Sequence, residues 1–198
     1  AKRMKTGQDL VAAGYAGLAG TRMIVAARKS QLESRYSADY LNQLERFTDP
    51  AEILLPPGDW TSLGATAWEA SGQGGILESV WNLSGRYRLG VDFSLRQIPL
   101  LQGTIEVCEQ FGLNPYRLYS SGCWLLTCDN GGRTVQMLSE QKIAAAVIGT
   151  VIKGIARMVR VGGEQGYLNR PQPDELQQVI PNWKELVTVT EIEGGNPL

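Results

Sequence analysis

Apolar residues recur along this chain in two periods, near two and near three to four, and glycine often marks the switch between them. Residues 8–15 (Gln-Asp-Leu-Val-Ala-Ala-Gly-Tyr) read as a short strand running into Gly14, Gly17 and Gly20. A helical pattern follows, through Ile24, Ala27, Gln31 and Leu32 to about Ser34. Ser37 is an N-cap candidate for a second helix with Tyr40, Leu41, Leu44 and Phe47 on one face, and Asp49-Pro50 is expected to stop it. Leu55-Pro56-Pro57-Gly58-Asp59 reads as a loop.

Residues 64–69 read as a strand, and the turn Ser71-Gly72-Gln73-Gly74-Gly75 follows. Ile76, Leu77, Val80, Trp81 and Leu83 then make a short amphipathic helix that Gly85 should end. Residues 91–95 alternate as a half-buried strand does. Pro99 is placed to start a helix with Leu100, Thr104, Val107 and Phe111 on one stripe, and Gly112 to cap it.

Residues 117–128 read as strand broken at Gly122, with a bulge or a pocket mouth as the two readings of that break. The turn Asn130-Gly131-Gly132 leads to a helix with Val135 and Leu138. The nearly all-apolar run from Ala144 to Ile152 predicts a central strand buried on both faces. Residues 156–161 alternate, and Gly162-Gly163 predicts a hairpin toward Tyr167-Leu168. A short helix is expected at 174–180, and residues 186–192 as an edge strand or a loose tail. Strands and helices alternate without an internal repeat, which predicts an α/β fold with a mixed sheet.

Composition narrows the chemistry. The 198 residues suit one domain, and 43% apolar with 20% charged residues is globular rather than disordered. The net charge of −1 gives no general nucleic-acid footprint. No stretch approaches the roughly 18 apolar residues of a membrane span, and the basic start Lys2-Arg3-Lys5 has no apolar run behind it. The chain begins with Ala, so it is expected to be processed or cut from something longer. There is no histidine, which excludes Ser-His-Asp and Cys-His catalysis and every His-containing zinc site. Cys108, Cys123 and Cys128 have no C-x-x-C spacing, and no metal site is expected. They read as reduced, buried thiols of a cytoplasmic protein.

Acid–base work therefore falls to other groups, with Glu69, Glu78 and Asp92 as acidic candidates beside their ordinary role as solvated or capping carboxylates. Two glycine turns, each between a strand and a helix, are candidate phosphate cradles, because a helix N-terminus offers free N–H groups and glycine lets an anion approach. The first holds Gly17, Gly20 and Thr21, and the second Ser71, Gly72, Gly74 and Gly75. From spacing alone, tight helix–strand packing is the favoured reading of the same glycines. The first turn lacks the Gly-Lys-Ser/Thr ending of a P-loop. The hydroxyls of Ser120 and Ser121 are a third candidate.

Six stretches in order resemble the C-terminal domain of the AIR synthase-related superfamily, and within it the hydrogenase expression/formation proteins and their bacterial relatives. They are Ala16-Gly17-Leu18-Ala19-Gly20-Thr21; residues 66–75 (Thr-Ala-Trp-Glu-Ala-Ser-Gly-Gln-Gly-Gly); residues 105–115 (Ile-Glu-Val-Cys-Glu-Gln-Phe-Gly-Leu-Asn-Pro); Leu118-Tyr119-Ser120-Ser121-Gly122; Ala145-Ala146-Val147-Ile148-Gly149; and Pro171-Gln172-Pro173-Asp174-Glu175-Leu176. The resemblance runs from about Thr6 to about Ile180. It implies an α-β-α layered, PurM C-terminal-like domain with a mixed sheet, partly ferredoxin-like. It divides the chain into a linker or remnant at 1–5, the domain at 6–168, and a C-terminal helix and tail at 169–198.

The resemblance also implies an activity in which ATP phosphorylates a carbonyl or amide oxygen and so makes it a leaving group. An N-terminal domain would supply the ATP and Mg site and a homodimer contact. That domain lies outside this sequence, so no cofactor is expected for the chain alone and no turnover without its partner. Gly17, Gly20, Thr21, Glu69, Ser71, Gly72, Gly74, Gly75, Ser120 and Ser121 are the substrate- or phosphate-binding residues so implied. Three departures stand out. Trp68-Glu69 replaces a His-Asp pair, Ser121 replaces a Glu, and the tail Gly194-Gly195-Asn196-Pro197-Leu198 replaces one ending in a reactive cysteine. Without a thiol at a mobile end a carbamoyl-carrying tail is not expected. Alternative readings are a degenerate, non-catalytic binding or regulatory domain that assembles with a partner, and a free-standing small-ligand sensor.

Overall fold

The computed structural model describes residues 2–54 and 60–187. Seven strands form one sheet: β1 (Asp9–Ala13), β2 (Ala65–Ala70), β3 (Gly90–Ser94), β4 (Trp124–Cys128), β5 (Ala145–Ile152), β6 (Arg157–Val161) and β7 (Glu164–Tyr167), in the order β2-β4-β1-β5-β3-β6-β7. Every described pairing is antiparallel except β3 with β6, so the sheet is mixed, as the alternation of elements predicts.

Helix α5 (Gly75–Tyr87) covers one face, with Ile76, Leu77, Val80 and Leu83 packed on Leu10, Ala12, Leu125, Val91 and Phe93. Helix α7 (Gly131–Glu140) covers part of the other, with Leu138 against Val11, Ala13, Leu126 and Cys128. A third cluster joins α1 (Leu18–Ala27), α3 (Ala38–Arg46) and α6 (Gln102–Phe111) to Leu176, Val179, Ile180 and Trp183 of the C-terminal segment. Residues 174–183 are thus built into the body of the protein.

The differences from the sequence expectations have local causes. The first helix breaks at Arg28, whose φ of −128° leaves the helical region, and a four-residue α2 (Lys29–Leu32) follows. Pro50 starts the short helix α4 (Pro50–Leu54) rather than only stopping its predecessor, because proline lacks just the N–H that a first helical turn leaves unbonded. α5 runs through Gly85 to Tyr87, and Arg88 takes the left-handed capping position at φ 53°. α6 begins at Gln102, leaving Pro99 outside it, and Gly112 caps it at φ 65° as expected.

Only Trp124–Cys128 of the 117–128 run is strand, since Pro115–Arg117 forms a 3-10 turn and Gly122 turns at φ 93°. β5 is central in the sheet but not buried on both faces. Of its eight residues only Ile148 and Val151 are buried, and Val147 is 37% exposed. Glu175–Gln178 is a 3-10 turn rather than a helix over 174–180. The loop 55–59 and the run 188–192 lie outside the described residues.

Candidate functional site

Both glycine turns are laced to one segment, residues 115–123. At the β1–α1 turn, Gly17 N donates to Ser120 Oγ at 2.7 Å and Gly20 N to Tyr119 O at 2.9 Å. Thr21 Oγ1 donates back to Gly17 O at 2.7 Å. A Cβ on Gly20 would lie 2.6 Å from Leu118 Cγ, and one on Gly17 2.8 Å from Pro115 O. These glycines serve the close approach of that segment.

At the β2–α5 turn, Ser120 N donates to Gly72 O at 3.1 Å and Ser71 N to Cys123 O at 2.8 Å. Ser71 Oγ pairs with Ser79 Oγ at 2.6 Å. Gly75, at φ 70°, has no room for a Cβ, which would sit 2.4 Å from Tyr116 O. Ser121 is half-buried beside Gly122, and no hydrogen bond of its hydroxyl appears among the described residues.

The structure thus brings the candidate serines and glycines together around one segment, and their amides are largely engaged. Gly74 N donates to Asp174 Oδ2 at 2.7 Å. Asp174 Oδ1 also accepts from Tyr119 N at 3.1 Å and Leu176 N at 2.9 Å. This carboxylate is 3% exposed and acts as the turn's own anion. Burial pushes it up to about 6 despite three N–H bonds that favour the charged form.

Glu78 folds over the same turn, its Oε2 only 2.3 Å from where a Gly74 Cβ would stand. Beside it opens a cleft of about 270 Å³, lined by Glu69, Gly72, Gln73, Glu78, Ser79 and Asn82. Glu69 is ion-paired to Arg86, which also donates to Trp68 O at 3.3 Å. Burial raises the Glu69 carboxyl above its ordinary range, and Arg86 opposes this. Burial also raises Glu78, with Asp174 adding to it and Arg117 and Lys184 opposing. The cleft can therefore position a substrate between two carboxyls poised toward protonation.

The cysteines offer no nucleophile, because burial pushes Cys108 and Cys123 up to about 12 and raises Cys128. Asp92 lies elsewhere, paired with Arg160 on the sheet at 2.8 Å. The N–H groups of Gly17 and Gly74 already have acceptors, and no group of three or more metal-ligating side chains is found among the described residues.

Sequence reasoning gave Asp174 no role and took Arg117 for part of a strand. The only local sign of Asp174's role is its position ahead of Glu175-Leu176, which suits a capping residue.

No family model and no curated protein matches the chain. Solved structures do. E. coli HypE, a hydrogenase maturation protein, superposes with a TM-score of 0.66 at 18% identity over 90% of this chain and 54% of its own. The chain has the HypE fold. HypE in complex with ATP matches with a TM-score of 0.61 at 16% identity, again over 90% and 54% of the two chains. Thiamine-monophosphate kinase from Stenotrophomonas maltophilia K279a matches with a TM-score of 0.58 at 16% identity, over 82% and 52%. This is the AIR synthase-related fold that the six stretches imply. The chain spans about half the length of the solved structures it matches. No helix among the described residues is long and apolar enough to cross a membrane.

Proposed function

We propose that this chain is the substrate-side half of an ATP-dependent protein of the AIR synthase-related type, working from the Glu69–Asn82 cleft. The observation that carries this reading is the match of nine-tenths of the chain to half of HypE, a protein also solved in complex with ATP. A second half binds MgATP and contributes the homodimer contact, and the assembly works in the reducing cytoplasm that three unpaired thiols suit. Residues 6–168 form the domain and 169–198 its C-terminal tail. The chain alone binds no cofactor and turns nothing over.

In the cleft, Arg86 fixes Glu69 as an oriented acceptor for a substrate N–H. Glu78, its carboxyl lifted by burial, is the group placed to exchange a proton with the substrate. Gln73 and Asn82 supply neutral hydrogen bonds at the rim. The reacting carbonyl or amide oxygen faces the nucleotide held by the other half, takes its γ-phosphoryl group as ADP departs, and leaves as phosphate when a substrate nitrogen gives up its proton and forms the new bond to the same carbon.

The test is ADP formation from MgATP by the protein isolated from its own cells with whatever adjoins or assembles with it. Turnover by that assembly, at least tenfold lower kcat in Glu69→Gln, and no turnover by the separate 198-residue chain is the expected result. Turnover by the separate chain at the rate of the assembly overturns the division of labour. A second reading, a non-catalytic binding or regulatory module, is favoured by the closure of both glycine turns and by Trp68-Glu69 before the second. An assembly that binds no ATP by calorimetry selects it.

A further inference from the structure

We infer that a second cleft, between Arg117 and residues 172–178, binds a small molecule through its phosphate or carboxylate group. The cleft has a volume of about 470 Å³ and is lined by Arg117, Gln172, Asp174, Glu175, Gln177 and Gln178 among others. Arg117 is only 9% exposed, yet among the described residues its guanidinium makes neither a hydrogen bond nor an ion pair. A guanidinium carries five N–H donors in a fixed fork and does not give up its charge in a protein. No described side chain or carbonyl accepts from those donors, and the cleft is where an acceptor can sit.

The neighbouring carboxylates do not meet this need. Glu175 and Glu78 act on Arg117 through space, but neither comes within the 4.0 Å of an ion pair. Burial is the larger influence and pulls the guanidinium down. Asp174 is committed to the N–H groups of Gly74, Tyr119 and Leu176. Glu175 accepts from Gln178 Nε2 at 2.6 Å. Gln172 donates to Arg170 O at 3.0 Å, which leaves the Gln177 amide as a further donor at the cleft. An oxyanion with two free oxygens matches the fork, and phosphate and carboxylate share that geometry. The volume suits a small molecule.

The test uses the full chain, with calorimetry and thermal denaturation in inorganic phosphate, acetate and, as the opposite charge, methylguanidinium. Phosphate or acetate should bind and raise the melting temperature, and the tighter of the two identifies the group recognised. Arg117→Lys keeps the charge and loses the fork, so binding should weaken about tenfold, and Arg117→Gln should abolish it. Glu175→Gln removes a competing negative charge and should tighten binding several-fold. It serves as the measure should Arg117→Gln fail to fold. The inference is overturned if neither anion binds, if methylguanidinium binds more tightly than both, if binding persists unchanged in Arg117→Lys, or if Glu175→Gln leaves it unaltered.

Discussion

Asp174 is 3% exposed and accepts three backbone N–H groups from three segments, yet burial outweighs those bonds and lifts its carboxyl from 3.8 to about 6. In the unfolded chain the group ionises at its ordinary value. Between the two values the native state binds more protons than the unfolded one. The protonated form's contribution is thus fully present below about pH 4 and is lost as pH rises through about 6. At ~1.4 kcal/mol per pH unit the whole effect is about 3 kcal/mol, of which about 2.4 kcal/mol is lost between pH 4 and pH 7. Glu175 and Glu78 interact electrostatically with the group, so the measurement must be a difference.

Asp174→Asn is the reference, being isosteric with the protonated acid and unable to ionise. Urea unfolding followed by tryptophan fluorescence at pH 4, 5, 6 and 7 gives the stability of both proteins. The wild type should lose about 2.4 kcal/mol relative to Asp174→Asn across that range, which at a urea slope of ~2 kcal/mol/M moves the midpoint difference by ~1.2 M. A difference that stays flat, or one that favours the wild type as pH rises, refutes the reasoning. The second outcome means that the three N–H groups overcome desolvation and hold the carboxyl below its ordinary value.

Gly75→Ala should cost roughly 2–5 kcal/mol, since it combines a left-handed φ of 70° with a Cβ 2.4 Å from Tyr116 O and 2.8 Å from Arg117 Cα. Gly112→Ala, at φ 65° with nothing within 4 Å, should cost only ~1–2 kcal/mol, and chemical denaturation of the two variants side by side separates conformation from crowding. Trp60, fully buried 5.3 Å from the Trp124 ring, should cost ~3–5 kcal/mol on replacement by Ala, read as a lower urea midpoint.

Much of the fold is legible locally. The hairpin at Gly162-Gly163 and the Gly112 cap follow from residues within a few positions of each turn. Element ends are less so. Gly85 sits inside a helix because the packing of Val80 and Leu83 on the sheet outweighs the cost of one glycine. The run 144–152 is apolar enough for a doubly covered strand, but whether both faces are covered depends on what the rest of the chain packs against them, and Val147 stays 37% exposed. In the candidate site, the glycine turns were visible as turns, and what closes them was not. Ser120 is 103 residues from Gly17 and Asp174 is 100 from Gly74.

The sequence by itself determined the alternation of strands and helices, left-handed turns at glycines such as Gly112 and Gly162, and the absence of histidine chemistry. These depend on side-chain period, steric freedom and composition, which are properties of neighbours along the chain. Tertiary structure alone decided that β3 runs parallel to β6, that a carboxylate from the C-terminal segment occupies the N-terminus of α5, and that Arg117 is buried without a partner. Those depend on which distant segments share one small, water-poor volume. Desolvation there sets the charge state of Asp174 and makes the Arg117 donors matter, and no local pattern encodes it.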